Sequence, residues 1–329
     1  MKRIIWLSTL LFLITACTPE VITEEMPTPE EPASSQKKCG DSICDGPENA
    51  TNCPEDCNEI STSQPQTALI REGEKAGTYW ITNKSSAVPL YTQILQPTGI
   101  EAGSSPVLIL VPGGVGTIDP TKAQKLADAG FTIVFFDPDG RGNSPGMENY
   151  GGTIHQDGLV AVITEVAQLL EIDETRMGLV SFSYGVTMST GTLARYPGLP
   201  ILFYIDWEGP VNRHYTTVGC TGETMRIDWQ PCENHEWWAE REAMNFIAQL
   251  NIPYQRLQSE KDHVQTTNDH AIEIVNAAVA GGLPWVRLND HPANQSYDIN
   301  NQPAMYPENG ETSEALIARH AQELFEKEQ

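Results

Sequence analysis

The run Met177-Gly-Leu-Val-Ser-Phe-Ser-Tyr-Gly-Val186 joins a short apolar segment to Thr187-Met-Ser-Thr-Gly-Thr-Leu-Ala194 through a Ser-x-Ser-x-Gly turn. The first part has the length of a strand and the second reads as a helix, so the chain must bend sharply between them. Only small residues let strand and helix backbones pass that close; Gly185 is one, and Ser181 stands on the other side. A turn of this kind pushes the side chain at its apex, Ser183, out at the carboxyl end of a sheet. It also directs the helix N-terminus and the Tyr184 N–H toward the place where an oxyanion would form.

The surroundings fit a covered parallel sheet. Val107-Leu-Ile-Leu-Val111 is apolar without alternation, as expected of a strand buried on both faces, and Pro112-Gly-Gly-Val-Gly116 follows at once. The glycines let backbone N–H groups approach a ligand, which makes Gly114 or Val115 the candidate second oxyanion donor. A helical stretch from Thr121 to Ala129, a stop at Gly130, the strand Thr132–Phe136 and the loop Asp137-Pro-Asp-Gly-Arg-Gly-Asn-Ser144 come next. Strands that alternate with helices of this length predict an α/β class protein.

Taken in order, the Pro112-Gly-Gly turn, the Asp137-x-x-Gly-Arg-Gly-x-Ser144 loop and the Ser183 elbow resemble the α/β-hydrolase family over about residues 67–329. The resemblance implies that fold, with a mostly parallel sheet covered by helices and a small cap insertion. It also implies an acid after the next-to-last strand and a histidine after the last. Pro253-Tyr-Gln-Arg-Leu257 leads to Asp262 at the acid position, and Trp285-Val-Arg-Leu288 leads to His291 at the base position. A serine hydroxyl needs such a base, and the base needs a carboxylate to orient it and stabilise its charged form. Asp206 and Glu208 follow the preceding strand, where some members of the family carry their acid. His263 and His270 read as surface residues, and His155 as a helix-start residue. His214, His235 and His320 fall in variable or terminal segments. Two positions depart from the family pattern: Asp290 precedes His291 where glycine is usual, and Gln258-Ser259 stand upstream of Asp262 where a glycine is expected.

Residues of about 211–250 form an insertion longer than an ordinary connection. It holds Cys220, Cys232, Trp229, Trp237 and Trp238. In the family such an insertion caps the site. Its tryptophans either line an acyl or leaving-group pocket or pack the cap onto the body, and packing is the expectation for Trp237 and Trp238. His235-Glu-Trp-Trp-Ala239 has alanine where a zinc protease has its second histidine, so zinc is not implied.

The N-terminus reads as an address. Lys2-Arg3 precede an apolar stretch from Ile4 to about Ala16, shorter than the roughly 20 residues that span a bilayer. Leu13-Ile-Thr-Ala-Cys17 resembles a lipobox, which implies a lipoprotein signal peptide over 1–16 and acylation of Cys17. Residues 17–36 read as a lipidated tether rich in Pro, Glu, Thr and Ser. Residues 37–58 hold Cys39, Cys44, Cys53 and Cys57, a Cys-rich module too short for a core of its own and expected to be stapled by two disulfides in any of three pairings. Once Cys17 is lipidated and the cluster pairs internally, Cys220 and Cys232 are left to pair. Asp41, Asp45, Glu48, Asn49 and Asp56 offer oxygen ligands for calcium in the module, though Ile43 and Asn52 break an EF-hand spacing; no other cofactor is expected.

With 44 acidic against 20 basic residues, the chain repels nucleic acid and anionic lipid heads, so membrane attachment is expected through the N-terminal lipid alone. The combined expectation is an envelope-anchored serine hydrolase on the exported side of a membrane, acting on a small ester or peptide-like substrate. Ser183, His291 and Asp262 are its expected triad, and Tyr184 with Gly114 or Val115 its expected oxyanion donors. A peptidase or amidase of the same fold, and a non-catalytic surface-binding lipoprotein, are the alternatives.

Overall fold

One sheet runs through the middle of the described residues, and its apolar strands are sandwiched between helices. In the computed structural model residues 70–216 and 230–327 are described. The chain divides into two units, Met1–Gln66 and Thr67–Gln329, and every described residue belongs to the second. The signal peptide, Cys17, the tether, the Cys-rich module with its calcium candidates, Cys220 and Trp229 lie outside the described residues.

The strands are β1 (Ile70–Glu72), β2 (Thr78–Thr82), β3 (Pro89–Leu95), β4 (Val107–Val111), β5 (Thr132–Phe136), β6 (Met177–Phe182), β7 (Phe203–Trp207), β8 (Tyr254–Leu257), β9 (Val286–Leu288) and β10 (His291–Pro292). They lie in the order β1-β2-β3-β5-β4-β6-β7-β8-β9-β10. From β5 to β9 every neighbour is parallel, while β1, β2 and β3 add an antiparallel edge at one side and β10 folds back on β9 at the other. The helices are α1 (Pro120–Asp128), α2 (Thr153–Val166), α3 (Gly185–Arg195), α4 (Arg213–Thr216), α5 (His235–Ala239), α6 (Asp269–Gly281) and α7 (Ser313–Lys327).

The unalternating β4 run is explained by what lies on each face. Val107, Ile109 and Val111 join an apolar layer with Leu159 and Val162 of α2, Val186 and Met188 of α3, and Ile272 and Val275 of α6. Leu108 and Leu110 join the opposite layer with Leu126 and Ala127 of α1 and Leu316 and Leu324 of α7. Each face therefore excludes water, and either layer loses several kcal/mol when a large side chain is truncated to alanine.

Helix ends follow local chemistry. Asp119 caps α1 by accepting the Thr121 N–H at 2.8 Å, with Pro120 at the first position where no N–H is needed. Gly282 ends α6 in the left-handed region at φ 76°.

The order of strands reverses at β4, whose chain goes first to β5 on one side and then to β6 on the other. In an open parallel sheet the crevice at such a switch lies beyond the carboxyl ends of the strands. Pro112–Gly116, Ser183, Glu208 and Gln258 all begin the loops that leave those ends.

Between β7 and β8 the described part of the insertion holds α4, α5 and two 3-10 turns at Ala243–Asn245 and Ile247–Gln249. Trp238 is fully buried there and packs on Tyr184, and its indole N–H donates to the Pro231 carbonyl at 3.1 Å. Trp237 meets it edge-on at 4.7 Å between ring centroids and carries the Arg241 guanidinium over its ring, 4.4 Å from the centroid. Both side chains pack the insertion, as expected. Among the described residues no helix is long and apolar enough to cross a membrane.

Candidate active site

Ser183 follows the last residue of β6 and adopts φ 51°, a left-handed conformation that costs an L-residue energy and that the surrounding contacts enforce. Its N–H donates to the Trp207 carbonyl at 2.8 Å, which ties the turn to β7. The close approach inferred from the sequence is real: a Cβ on Gly185 would lie 2.8 Å from the Pro112 carbonyl oxygen, and one on Gly113 2.5 Å from that of Phe182. Ser181, where the pattern commonly has glycine, is buried, and its hydroxyl shares a hydrogen bond with the Tyr204 hydroxyl at 2.6 Å. A small polar side chain fits that place because β7 supplies it a partner.

The Ser183 Oγ lies 2.9 Å from Nε2 of His263, the sixth residue after β8. On the far side of the same ring, Nδ1 lies 2.9 Å from Oε2 of Glu208. Glu208 follows the last residue of β7 just as Ser183 follows β6, and it too is left-handed, at φ 51°. Its other oxygen accepts the Ser259 N–H at 3.0 Å, so the carboxylate bridges the β7 end and the loop that carries His263. Only 1% of the Glu208 side chain is exposed, against 32% of that of His263. The imidazole is stacked on the Trp207 ring at 4.9 Å with planes 28° apart, and the Lys122 ammonium sits 5.8 Å from that indole.

Side chain by side chain, this is a hydroxyl, an imidazole whose near nitrogen faces it, and a buried carboxylate on the far nitrogen. Because a carboxylate only accepts, Nδ1 carries the proton and Nε2 is left with its lone pair toward the hydroxyl. Glu208, Asp262 and His263 also bring carboxylate and imidazole atoms within 4.8 Å of one another, but Nδ1 is engaged with Glu208 and one Asp262 oxygen with two backbone N–H groups.

No protein-family model matches the sequence, and no curated protein matches it either. Solved structures do. Porphyromonas gingivalis dipeptidyl peptidase 4 aligns with a TM-score of 0.54 at 20% identity, over 76% of this chain and 35% of the peptidase. Est1E from Butyrivibrio proteoclasticus, solved with ferulic acid bound, aligns with a TM-score of 0.53 at 13% identity over 73% of this chain and 96% of its own. The Pyrococcus furiosus esterase Pf2001 gives 0.50 at 16% identity, over 64% and 80%. The fold is that of the α/β-hydrolases. The chain spans only about a third of the length of the dipeptidyl peptidase.

Within this α/β-hydrolase fold, two sequence expectations need correction. The structure does not bring His291 to Ser183. After β9 the chain takes a left-handed turn at Asn289, φ 52°, and reverses into β10, which pairs antiparallel with β9 at the outer edge of the sheet. His291 is exposed there, and its carbonyl accepts the Tyr297 hydroxyl at 2.9 Å. Asp262 does reach the neighbourhood but is not the hydrogen-bonded acid: its Oδ1 is 3.6 Å from Nδ1 of His263, and it accepts the Val264 and Gln265 N–H groups at 2.7 Å each. Burial pushes the Asp262 carboxyl up, but the His270 imidazole 3.3 Å away and hydrogen bonds from the Gln265 N–H, Gln258 and the Val264 N–H outweigh it and hold the group well below the usual carboxylate range.

His263, read from the sequence as a surface residue, is the histidine on Ser183, and Glu208, one of the two earlier-strand acids, is the carboxylate behind it. The other, Asp206, is fully buried in an ion pair with Arg256 and also accepts the Tyr254 hydroxyl at 3.1 Å. The signal that would have separated the two acids is position: Glu208 directly follows the last residue of β7, whereas Asp206 lies inside it. His270 is not on the surface either, being fully buried beside Asp262 on α6. Tyr184 starts the turn into α3, and its hydroxyl donates to the Arg241 carbonyl at 2.9 Å. Gly114 is left-handed at φ 52°, and Val115 after it is exposed.

Proposed function

We propose that the chain is a serine hydrolase in which Ser183 is the nucleophile, His263 the general base and then acid, and Glu208 the orienting carboxylate. The observation that carries this reading is the unbroken line Ser183 Oγ, His263 Nε2, His263 Nδ1 and Glu208 Oε2, with 2.9 Å at both hydrogen bonds. In the forward step Ser183 Oγ attacks a carbonyl carbon while His263 Nε2 takes the hydroxyl proton, and the Glu208 charge stabilises the imidazolium that results. The backbone N–H of Tyr184, with that of Gly114 or Val115, would hold the oxyanion at the head of α3. The imidazolium then gives its proton to the leaving group, and a water deprotonated by the same nitrogen releases the acyl group from Ser183.

Carboxylic ester hydrolysis is the favoured reaction, because an ester oxygen leaves with least assistance and the base is a third exposed. The substrate is a small ester or peptide-like molecule. Amide cleavage by the same machinery is the second reading, supported by the fold shared with a dipeptidyl peptidase.

A fluorophosphonate probe should label the protein at Ser183. Labelling should vanish in Ser183→Ala and slow at least about 100-fold in His263→Ala. An intact, folded protein left unlabelled by the probe would mean an idle, surface-binding role. Turnover of chromogenic esters against aminoacyl amides then separates the two reactions.

The lipobox supports attachment to the exported face of a membrane through acylated Cys17, with residues 17–36 as tether and the Cys-rich module beyond it. Cys17→Ser should leave a precursor that is uncleaved or released. Intact-mass measurement of an unmodified mature N-terminus at another residue would contradict the anchor.

A further inference from the structure

Asp262 is placed too carefully to be an incidental neighbour of His263. One of its oxygens, Oδ1, accepts both N–H groups that follow the histidine, those of Val264 and Gln265. The other, Oδ2, accepts from Gln258 Nε2 at 3.0 Å and lies 3.3 Å from Nε2 of His270. Behind His270 stands Arg256, fully buried, whose Nη2 approaches His270 Nδ1 at 3.1 Å and Gln258 Oε1 at 2.7 Å. His270 Nδ1 also lies 3.0 Å from the Gly209 carbonyl oxygen, so it faces a donor and an acceptor at once. Guanidinium groups only donate, so Arg256 fixes the Gln258 amide with its oxygen toward itself and its N–H groups toward Asp262. The charge of Arg256 is in turn paired with Asp206, and its Nη1 donates to the carbonyl of Gly209, next in the chain to Glu208, at 3.0 Å.

We infer that Asp262 is a positioning residue for His263: as an acceptor-only group it closes the turn that presents the imidazole, and the Gln258 amide held by the buried Arg256 presents it a donor. The inference rests on the reading of Ser183 and His263 as nucleophile and base. One network thus braces both parts of the site, since Arg256 also holds the backbone beside Glu208. Asparagine is the informative substitution. With its oxygen on the two turn N–H groups, its amide N–H groups would face Gln258 Nε2, whose amide cannot turn over against Arg256. With the amide reversed, the turn is released.

The test uses the full chain and a chromogenic ester. In Asp262→Asn kcat should fall about 10- to 100-fold, the cost of a catalytic group displaced by about 1 Å, while KM stays within about twofold. The downfield Nδ1–H proton resonance of His263 should broaden or vanish with the circular dichroism unchanged. A residue that only stabilised the fold would lower Tm and leave both kcat below melting and that resonance as they were, and this result would overturn the inference. If Asp262→Asn does not fold, Gln258→Met, which removes the donor that holds Oδ2 and so frees the carboxylate to rotate off the turn N–H groups, should lower kcat at least threefold at constant KM. An unchanged kcat there would overturn it equally. Ser183→Ala and Glu208→Gln are run beside it: if they hydrolyse like the parent protein the site reading itself fails, whereas if they lose activity and Asp262→Asn does not, only this inference fails.

Discussion

Glu208→Gln puts the greatest weight on the geometry. The carboxylate lies 2.9 Å from His263 Nδ1, and two unit charges at that separation attract by about 6 kcal/mol at an effective dielectric of about 20 and by about 1.4 kcal/mol in bulk water. With 32% of the imidazole side chain exposed, the working value lies between these limits, at about 3–4 kcal/mol of lost imidazolium stabilisation in the transition state. That corresponds to a fall in kcat of about 10²- to 10³-fold. A second effect has the same sign. Ser259 donates its N–H to the other carboxylate oxygen, so a glutamine that satisfies Ser259 turns its NH₂ toward Nδ1. The ring would then carry its proton on Nε2, facing Ser183, and could not accept the serine proton. Steady-state hydrolysis of a chromogenic ester, with near-ultraviolet circular dichroism to establish folding, checks both. KM should hold within about threefold, because the lost interaction is made to the charged imidazole and not to the bound substrate. A folded Glu208→Gln within threefold of the parent in kcat would refute the assignment. It would do so doubly if Asp262→Asn were then the more damaging variant.

His263→Ala should lower kcat by at least about 10³-fold and His291→Ala by less than twofold, since only the former lies on Ser183; the double variant Ser183→Ala/His263→Ala should be no worse than Ser183→Ala alone. Stability should fall on mild acidification. Burial, reinforced by Arg141, pushes the His155 imidazole down to about 3, and burial with Arg287 and Arg319 pushes that of His320 down to about 4. Below about pH 6.5 the unfolded chain therefore takes up protons that these two native side chains refuse, and the stability present above that pH is lost progressively toward pH 4. Urea unfolding at pH 7.5 and pH 5 should differ by about 2–4 kcal/mol, with a flat profile counting against the buried neutral imidazoles. A disulfide between Cys220 and Cys232 should stabilise the chain by about 2–4 kcal/mol and restrain the insertion, so reduction should change KM more than kcat; peptide mapping that finds both thiols free in exported protein would exclude it.

Residues 107–111, 132–136 and 177–182 announce strands because an apolar run without alternation is stable only when both faces are covered, and the apolar packing of β4 on both sides bears this out in Val107, Leu108 and Leu110. The Ser183 turn was legible for a related reason. Close backbone approach demands small neighbours, and small neighbours are visible in a sequence. The partners of Ser183 were not legible, because they depend on which strand ends meet. Register decides that: Phe182 pairs with Trp207 and Trp207 with Leu257, so the residues that leave β6, β7 and β8 begin in one row at the carboxyl edge of the sheet. Glu208 belongs to that row, and His263 reaches it from the loop after β8 because Asp262 closes the turn beneath it. His291 follows a strand as well, but β9 turns back antiparallel into β10 and carries it along the sheet edge. A local pattern records which side chains a turn can expose; only hydrogen-bonded register between strands distant in the chain determines which of them come within reach of one another.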